Sequence, residues 1–175
     1  MKSLGVTREF FEPYLSPMDR LRLELDEEWK HGASLLDLGD GKMFCGLFRV
    51  LSGGVLAHED KLERDHHREL PERLNYTAQL AANIYLNVPD QGGNILSWNK
   101  SLGDHEYDEL RGDSYGIEPK LLGPESSSIK PCTGDLIFFN PRKPHAITPS
   151  KGGERVTIST FILYGGSKKP LYFWS

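Results

Sequence analysis

The chain has 175 residues and a formal net charge of −4, with 21 Lys and Arg residues against 25 Asp and Glu. This length is typical of one domain that can bury its own core, so we expect residues 1–175 to form a single domain. The acidic balance argues against a general nucleic-acid binder, which usually presents a basic face.

The two cysteines, Cys45 and Cys132, are too few for a disulfide framework, which favours a reducing compartment. Residues 1–11 carry no apolar run of signal-peptide length. No segment approaches the roughly 20 apolar residues of a membrane span. These features predict a soluble, cytoplasmic protein with no membrane partner.

Residues 7–30 have the pattern of a helical segment. Thr7 is a candidate cap for its first turn, and Ser16 followed by Pro17 is a second cap with proline in the first helical position. Apolar residues then recur on one helix face at Met18, Leu21, Leu25 and Trp29. We expect this segment to pack against a sheet as a helical buttress.

Strand patterns dominate residues 33–175. Predicted strands cover residues 34–38, 42–51, 55–60, 79–88, 94–98, 129–131, 135–140, 145–148, 155–164 and 171–174. Residues 61–76 read as a charged loop with some helix, and residues 99–129 as a long insertion that is functional or mobile. Because no helices alternate with the strands, this order favours a mainly β fold, a jelly roll or double-stranded β-helix, over a doubly wound sheet.

Two of the predicted strands have an apolar face and a polar face. The polar positions are Asn83 and Tyr85 on the first strand and Arg155, Thr157 and Ser159 on the second. A polar inner face costs several kcal/mol unless its groups have partners, and a polar ligand inside the barrel would supply them. The apolar faces would then pack outward against the helices of residues 7–30.

His58, Glu59 and Asp60 form the clearest metal-binding pattern. In an extended segment His58 and Asp60 point to the same side and Glu59 to the other. His145, at the start of a later strand, is the natural third ligand. Two histidines and one carboxylate suit non-heme Fe(II), because they leave coordination positions open for oxygen and substrate.

Arg155 follows His145 on the polar face of the next strand. A buried arginine needs an anionic partner, and its planar fork matches a carboxylate. A dicarboxylate that bridges the metal and Arg155 would satisfy both groups.

The order of these residues, together with segments 83–87, 92–96 and 134–139, resembles the Fe(II)/2-oxoglutarate-dependent oxygenases over residues 43–165. The similarity is greatest to the prolyl-hydroxylase-like branch and extends to bacterial members that act on free amino acids or small natural products. The resemblance implies that His58, Asp60 and His145 bind iron and that Arg155 pairs with the distal carboxylate of 2-oxoglutarate. It also implies a hydrogen bond from Tyr85 to that carboxylate and a hydroxyl residue at Thr157. Asn83 is a further candidate for co-substrate contact.

The resemblance further implies a hydroxylase that uses Fe(II), 2-oxoglutarate and O2 and releases succinate and carbon dioxide. The expected substrate is a small molecule, with free amino acids as candidates, and Asp60 favours hydroxylation over halogenation. Two alternatives stay open: a protein or peptidyl hydroxylase of the same family, and a cupin-like metal-binding protein that does not use 2-oxoglutarate. The candidate substrate residues are Arg49, Trp98 and Phe161, and residues 99–129 are a candidate lid.

Overall fold

The computed structural model describes residues 2–66, 70–71 and 74–175, with side chains from residue 5 onward. The described part is mainly β. Its helices are α1 (Lys2–Phe11), α2 (Pro17–Glu28), α3 (Leu62–Asp65), α4 (Asp104–Arg111) and a 3-10 helix (Pro119–Leu122). Its strands are β1 (Ala33–Leu35), β2 (Leu47–Leu51), β3 (Val55–His58), β4 (Ala78–Asn87), β5 (Ile95–Ser97), β6 (Ser127–Ile129), β7 (Leu136–Phe139), β8 (His145–Ile147), β9 (Arg155–Tyr164) and β10 (Leu171–Trp174).

The helical buttress predicted over residues 7–30 consists of two helices, α1 and α2, and α1 begins before the predicted segment. Ser16 caps α2 as expected, because its hydroxyl accepts a hydrogen bond from the backbone N–H of Asp19 at 3.1 Å. Thr7 lies inside α1, so the cap predicted for it is wrong. Pro13 follows α1 by two residues, and the helix ends before it because a proline has no backbone N–H to continue the hydrogen bonding. Within the described residues, no helix combines the length and the apolar character that crossing a bilayer requires.

The strands form two sheets. The larger sheet has the order β1-β10-β9-β4-β7, and the smaller one has the order β3-β8-β5-β6. Strand β9 organises the larger sheet: β4 pairs with one edge, and β2 and β10 share the other. All of the pairs are antiparallel except the one between β1 and β10.

Helix α2 covers one face of the larger sheet, as the sequence predicted for the apolar face of residues 18–29. Met18 and Leu21 of α2 pack on alternate residues of two central strands, namely Ala82, Ile84, Ile158 and Ile162. Full burial of a side chain of this size contributes roughly 1.5–3 kcal/mol. The opposite face of the same strands is therefore free to line a pocket.

Several predicted boundaries differ from the structure. The strand expected over residues 42–51 is limited to β2, because Gly46 adopts a positive φ of 93° that interrupts extended backbone. Within residues 61–76, α3 supplies the expected helix. Residues 67–69, 72 and 73 of this segment lie outside the described residues.

The insertion of residues 99–129 is a packed substructure. Its side chains Leu102, Tyr107, Ile117 and Leu122 are buried in one cluster with Trp98, Ala57 and Ala146. Its last segment, β6, pairs with β5 and begins two residues before the strand predicted at 129–131. The insertion thereby covers the outer side of the smaller sheet.

Candidate metal centre and co-substrate pocket

A cavity of about 280 Å³ lies between the two sheets. The larger sheet lines it with the polar face predicted from the sequence, including Asn83, Arg155, Thr157 and Ser159. The smaller sheet lines it with His58, Ile95, His145 and Ile147. Because side chains alternate along a strand, β9 can present polar groups to this cavity and apolar groups to α2.

His58, Asp60 and His145 meet at one end of the cavity. His58 and His145 are register partners on β3 and β8, which brings two distant histidines together. The Asp60 Oδ2 lies 3.9 Å from the His58 Nε2 and 3.5 Å from the His145 Nε2. One donor atom from each of the three residues lies within 4.8 Å of the others, so one metal ion can be bound by all three.

Backbone carbonyl groups orient the two imidazole rings so that each ring can coordinate a metal ion. The His58 Nδ1 is 2.8 Å from the Leu56 carbonyl oxygen, and the His145 Nδ1 is 3.0 Å from the Lys143 carbonyl oxygen. With Nδ1–H donating in each case, the lone pair of Nε2 is directed to the shared centre. Two imidazole nitrogens and one carboxylate oxygen form the donor set that suits Fe(II) with open positions.

Burial and neighbouring charges keep His58 and Asp60 in their metal-coordinating forms. Burial, reinforced by the charge of His145, lowers the pKa of His58 to about 4, so that this imidazole is neutral at pH 7. Burial alone would raise the pKa of Asp60, but the hydrogen bond to His145 and the charges of His58 and Arg49 lower it overall. A neutral imidazole and an ionised carboxylate are the forms that bind metal.

Arg155 lies in the same cavity and is only 1% exposed. Its Nη2 donates a hydrogen bond to the Tyr85 hydroxyl at 3.1 Å, and its guanidinium carbon lies 4.9 Å from the centre of the Tyr85 ring. Its Nε is buried without a hydrogen-bond partner, and no ion pair among the described residues includes it. A buried, unpaired guanidinium is costly, and a ligand carboxylate would supply its missing partner.

The chain matches a family model described as the 2OG-Fe(II) oxygenase superfamily over residues 45–163. The chain belongs to this superfamily. The match contains the histidine–aspartate–histidine cluster and the buried arginine, and it confirms the resemblance seen in the sequence motifs. The metal and co-substrate predicted from that resemblance, Fe(II) and 2-oxoglutarate, are those of the superfamily, with O2 as the usual second co-substrate.

Two curated relatives of this chain are named as a hydroxylase and as a biosynthesis cluster protein. The L-gamma-glutamyl-L-propargylglycine hydroxylase of Streptantibioticus cattleyicolor is 28% identical over 149 residues, which cover 82% of this chain and 54% of the relative. The leucinostatins biosynthesis cluster protein S of Purpureocillium lilacinum is 32% identical over 136 residues, which cover 75% of this chain and 55% of the relative. The chain thus spans about half the length of these relatives.

Two solved structures support the fold of this member of the superfamily. A novel N-substituted L-amino acid dioxygenase from Burkholderia ambifaria AMMD superposes with a TM-score of 0.63 at 19% identity, over 82% of this chain and 58% of that one. The structure of that dioxygenase in complex with alpha-KG gives a TM-score of 0.62 at 20% identity with the same coverage. At these identities the likeness shows the fold alone.

The other predicted site residues fall into two groups. Asn83, Thr157, Arg49 and Phe161 line the cavity, and Tyr85 lies directly behind it against Arg155. Trp98 does not line it, which corrects its selection as a substrate residue. Since Trp98 is three positions from the pocket-lining Ile95, alternation directs its indole away, and its Nε1 donates to the Gly123 carbonyl at 2.9 Å.

Tyr115 is a pocket residue that the sequence reasoning missed. Its ring centre lies 5.4 Å from that of His58, and its side chain is 69% exposed at the edge of the cavity. Tyr115 belongs to the insertion, where no strand alternation indicates a direction. The backbone bridge between Ala57 and Ile117 brings it beside the metal ligands, and such a long-range pairing has no local signal.

Glu59 points away from the metal centre, as its position between His58 and Asp60 predicted. It is 2% exposed, and its Oε2 lies 2.8 Å from the Lys61 Nζ and 3.5 Å from the Arg64 Nη1. The Arg64 guanidinium carbon lies 4.3 Å from the centre of the Tyr107 ring in α4. This ion network therefore connects the metal-binding segment to the insertion.

Proposed function

We propose that the chain is an Fe(II)- and 2-oxoglutarate-dependent oxygenase that hydroxylates a C–H bond of a small molecule. The observation that carries this proposal is the buried, unpaired Arg155 in the same cavity as the three candidate iron ligands. A metal site alone fits many proteins. A metal site that faces an unsatisfied guanidinium fits a dicarboxylate co-substrate.

Each residue has a defined task in this proposal. His58, Asp60 and His145 hold Fe(II), and Arg155 binds the distal carboxylate of 2-oxoglutarate, with Tyr85 fixing the guanidinium from behind. Thr157 and Asn83 offer further polar contacts from the same sheet face. When bound, Fe(II), 2-oxoglutarate and O2 supply an oxidative decarboxylation that yields succinate and carbon dioxide and places one oxygen atom in the substrate. The apolar walls exclude water from this reaction.

The relatives support hydroxylation of an amino-acid derivative. One relative is named a hydroxylase of a glutamyl-propargylglycine, and the similar solved structures are of an N-substituted L-amino acid dioxygenase. The Asp60 carboxylate supports hydroxylation as well, because it fills the position that related halogenases leave for halide. The cupin-like alternative has no use for Arg155, whereas the peptidyl hydroxylase shares the whole core and requires a separate test.

The architecture of the pocket also supports the finer predictions of fold. We propose that the two sheets are the layers of a double-stranded β-helix, or jelly roll, because both contribute side chains to one cavity. Because both sheets contribute side chains to this one cavity, the observation also supports a single domain over residues 1–175. A cytoplasmic location and the absence of nucleic-acid and membrane partners stay predictions from composition.

The proposal is tested by anaerobic binding with the Arg155→Gln variant. We expect the wild-type protein to bind Fe(II) with 2-oxoglutarate and to form succinate when O2 is admitted. Arg155→Gln should weaken the binding of 2-oxoglutarate by about ten- to hundredfold, which is the typical contribution of a charge-assisted pair of hydrogen bonds. The affinity for Mn(II) should change little. The exposed Arg20→Gln variant is the matched control. Failure of the wild-type protein to bind 2-oxoglutarate, or equal binding by Arg155→Gln, contradicts the proposal.

A further inference from the structure

A second arginine, Arg49, faces the same cavity as Arg155. It lies on β2 opposite Thr157 of β9, whereas Arg155 is opposite Leu51, so the two arginines are two residues apart in the register of one sheet face. Arg49 is half-buried, and its Nη1 donates to the Ser159 hydroxyl at 2.5 Å. Within the described part of the chain, no carboxylate forms an ion pair with it.

The charge balance of the loaded pocket leaves Arg49 without a partner. Fe(II) and Arg155 together supply three positive charges. The Asp60 carboxylate and the two carboxylates of 2-oxoglutarate supply three negative charges. Arg49 therefore adds one uncompensated positive charge to a confined site, and a ligand with one carboxylate would neutralise it.

The position of Arg49 places such a ligand near the metal. Arg49 lines the same cavity as the three candidate metal ligands, His58, Asp60 and His145. Arg155, by contrast, makes its hydrogen bond to Tyr85 on the far strand β4. The two guanidiniums thus have different partners in the cavity, because Arg49 bonds to Ser159 of β9 and Arg155 bonds to Tyr85 of β4.

We propose that Arg49 binds the free carboxylate of the substrate, which makes the substrate an α-amino acid or an N-substituted amino acid. This inference rests on the proposed function, since it assigns 2-oxoglutarate to Arg155. It distinguishes the small-molecule hydroxylase from the peptidyl hydroxylase, because a residue inside a peptide has no free α-carboxylate. The planar guanidinium suits this task, because it binds a carboxylate through two parallel hydrogen bonds.

The test compares carboxylates with their amides on protein loaded with Mn(II) and 2-oxoglutarate without O2. The probes are the free amino acids, their N-acetyl derivatives and the corresponding carboxamides, measured by titration calorimetry. We expect at least one carboxylate to bind about tenfold or more tightly than its amide. Arg49→Gln should remove this preference and Arg49→Lys should retain part of it. Arg49→Gln should leave 2-oxoglutarate binding within about threefold of wild type, and Arg20→Gln should change nothing.

Three results would overturn the inference. The first is a panel in which no carboxylate binds the wild-type protein better than its amide. The second is a carboxylate preference that Arg49→Gln retains. The third is a loss of 2-oxoglutarate binding in Arg49→Gln equal to that in Arg155→Gln, which would make Arg49 a co-substrate residue. In all three cases Mn(II) and 2-oxoglutarate still bind the wild-type protein, so this failure is distinct from failure of the proposed function.

Discussion

His58 and His145 are oriented by their own strands rather than by other side chains. Each imidazole pairs its Nδ1 with the carbonyl oxygen of the residue two positions earlier, Leu56 in one case and Lys143 in the other. The hydrogen bond that orients each ring therefore depends on local backbone conformation. The pairing of β3 with β8 then determines where the two rings meet. Local backbone orients each ring, and strand pairing brings the two rings together. The metal site can therefore be recognised from a short motif and one distant histidine.

Glu63 gives a residue-scale prediction about pH. Burial raises the pKa of Glu63, but hydrogen bonds from Arg142 and Tyr76 outweigh it and lower the pKa from 4.5 to about 2. Because the pKa is lower in the folded state, this stabilisation is complete above about pH 4.5 and is lost as the pH falls toward 2. The Glu63 carboxylate is 43% exposed, so after discounting for solvent we expect Glu63→Gln to cost about 1 kcal/mol at pH 7.

Urea denaturation across the acidic range tests this prediction. The difference in unfolding free energy between wild type and Glu63→Gln should shrink as the pH falls below about 4.5. Glu125→Gln, at an exposed position, is the control. A difference that stays constant over the same range would show that the carboxylate charge of Glu63 does not contribute.

At the scale of elements, β9 contributes residues both to the cavity and to the hydrophobic core. Four alternate residues of this strand, Arg155, Thr157, Ser159 and Phe161, line the cavity together with Thr160. Ile158 and Ile162 belong instead to the hydrophobic core that contains Met18 and Leu21 of α2. Its alternation, and that of β4, was sufficient to predict the pocket face from the sequence. Both strands were predicted to within a residue at each end, because their period-two patterns extend over ten residues.

Elements without a long period were not predictable to this degree. The insertion lacks strand alternation, and its burial depends on contacts between α4 and the distant strands β3 and β8. The direction of Trp98 and the place of Tyr115 follow from those same tertiary contacts. The short strands β1 and β6 begin earlier than predicted for a related reason. A strand of three residues carries too little pattern to define its boundary.

The contact between α3 and α4 gives an element-scale prediction. Tyr107 is 6% exposed and lies under the Arg64 guanidinium, which also contacts Glu59. Replacing Tyr107 with Leu removes the cation–π contact and part of the buried ring, at an expected cost of about 1–3 kcal/mol. The loss should be local to the insertion, because β4 and β9 do not contact this cluster.

Hydrogen exchange can locate the effect of Tyr107→Leu. Amides of α4 and of the 3-10 helix should exchange faster than in wild type, while those of β4 and β9 keep their rates. Tyr14→Leu, at an 80% exposed position, serves as the control. Uniformly faster exchange over both sheets would show instead that the insertion unfolds only together with the core.

At the scale of the whole molecule, the pocket lies between two sheets, and each sheet also packs against a hydrophobic core of its own. The larger sheet has its own core under the helices, and the smaller sheet has its own core under the insertion. Between them lie the metal ligands from the smaller sheet and its loops and the arginines from the larger one. A metal and a co-substrate bound in this cavity would therefore link the two sheets.

Ligand loading should stabilise the whole chain in two separable steps. Mn(II) at one hundred times its dissociation constant should stabilise the folded state by about 2.7 kcal/mol, and 2-oxoglutarate should add a second increment when metal is present. For a chain of this length, each kcal/mol raises the melting temperature by about 2–4 °C. Asp60→Ala should lose both increments, since it removes a metal ligand, whereas Arg155→Gln should keep the first and lose most of the second. Calorimetric melting with and without EDTA measures both increments. If Arg155→Gln keeps the full second increment, the co-substrate does not bind the larger sheet through Arg155.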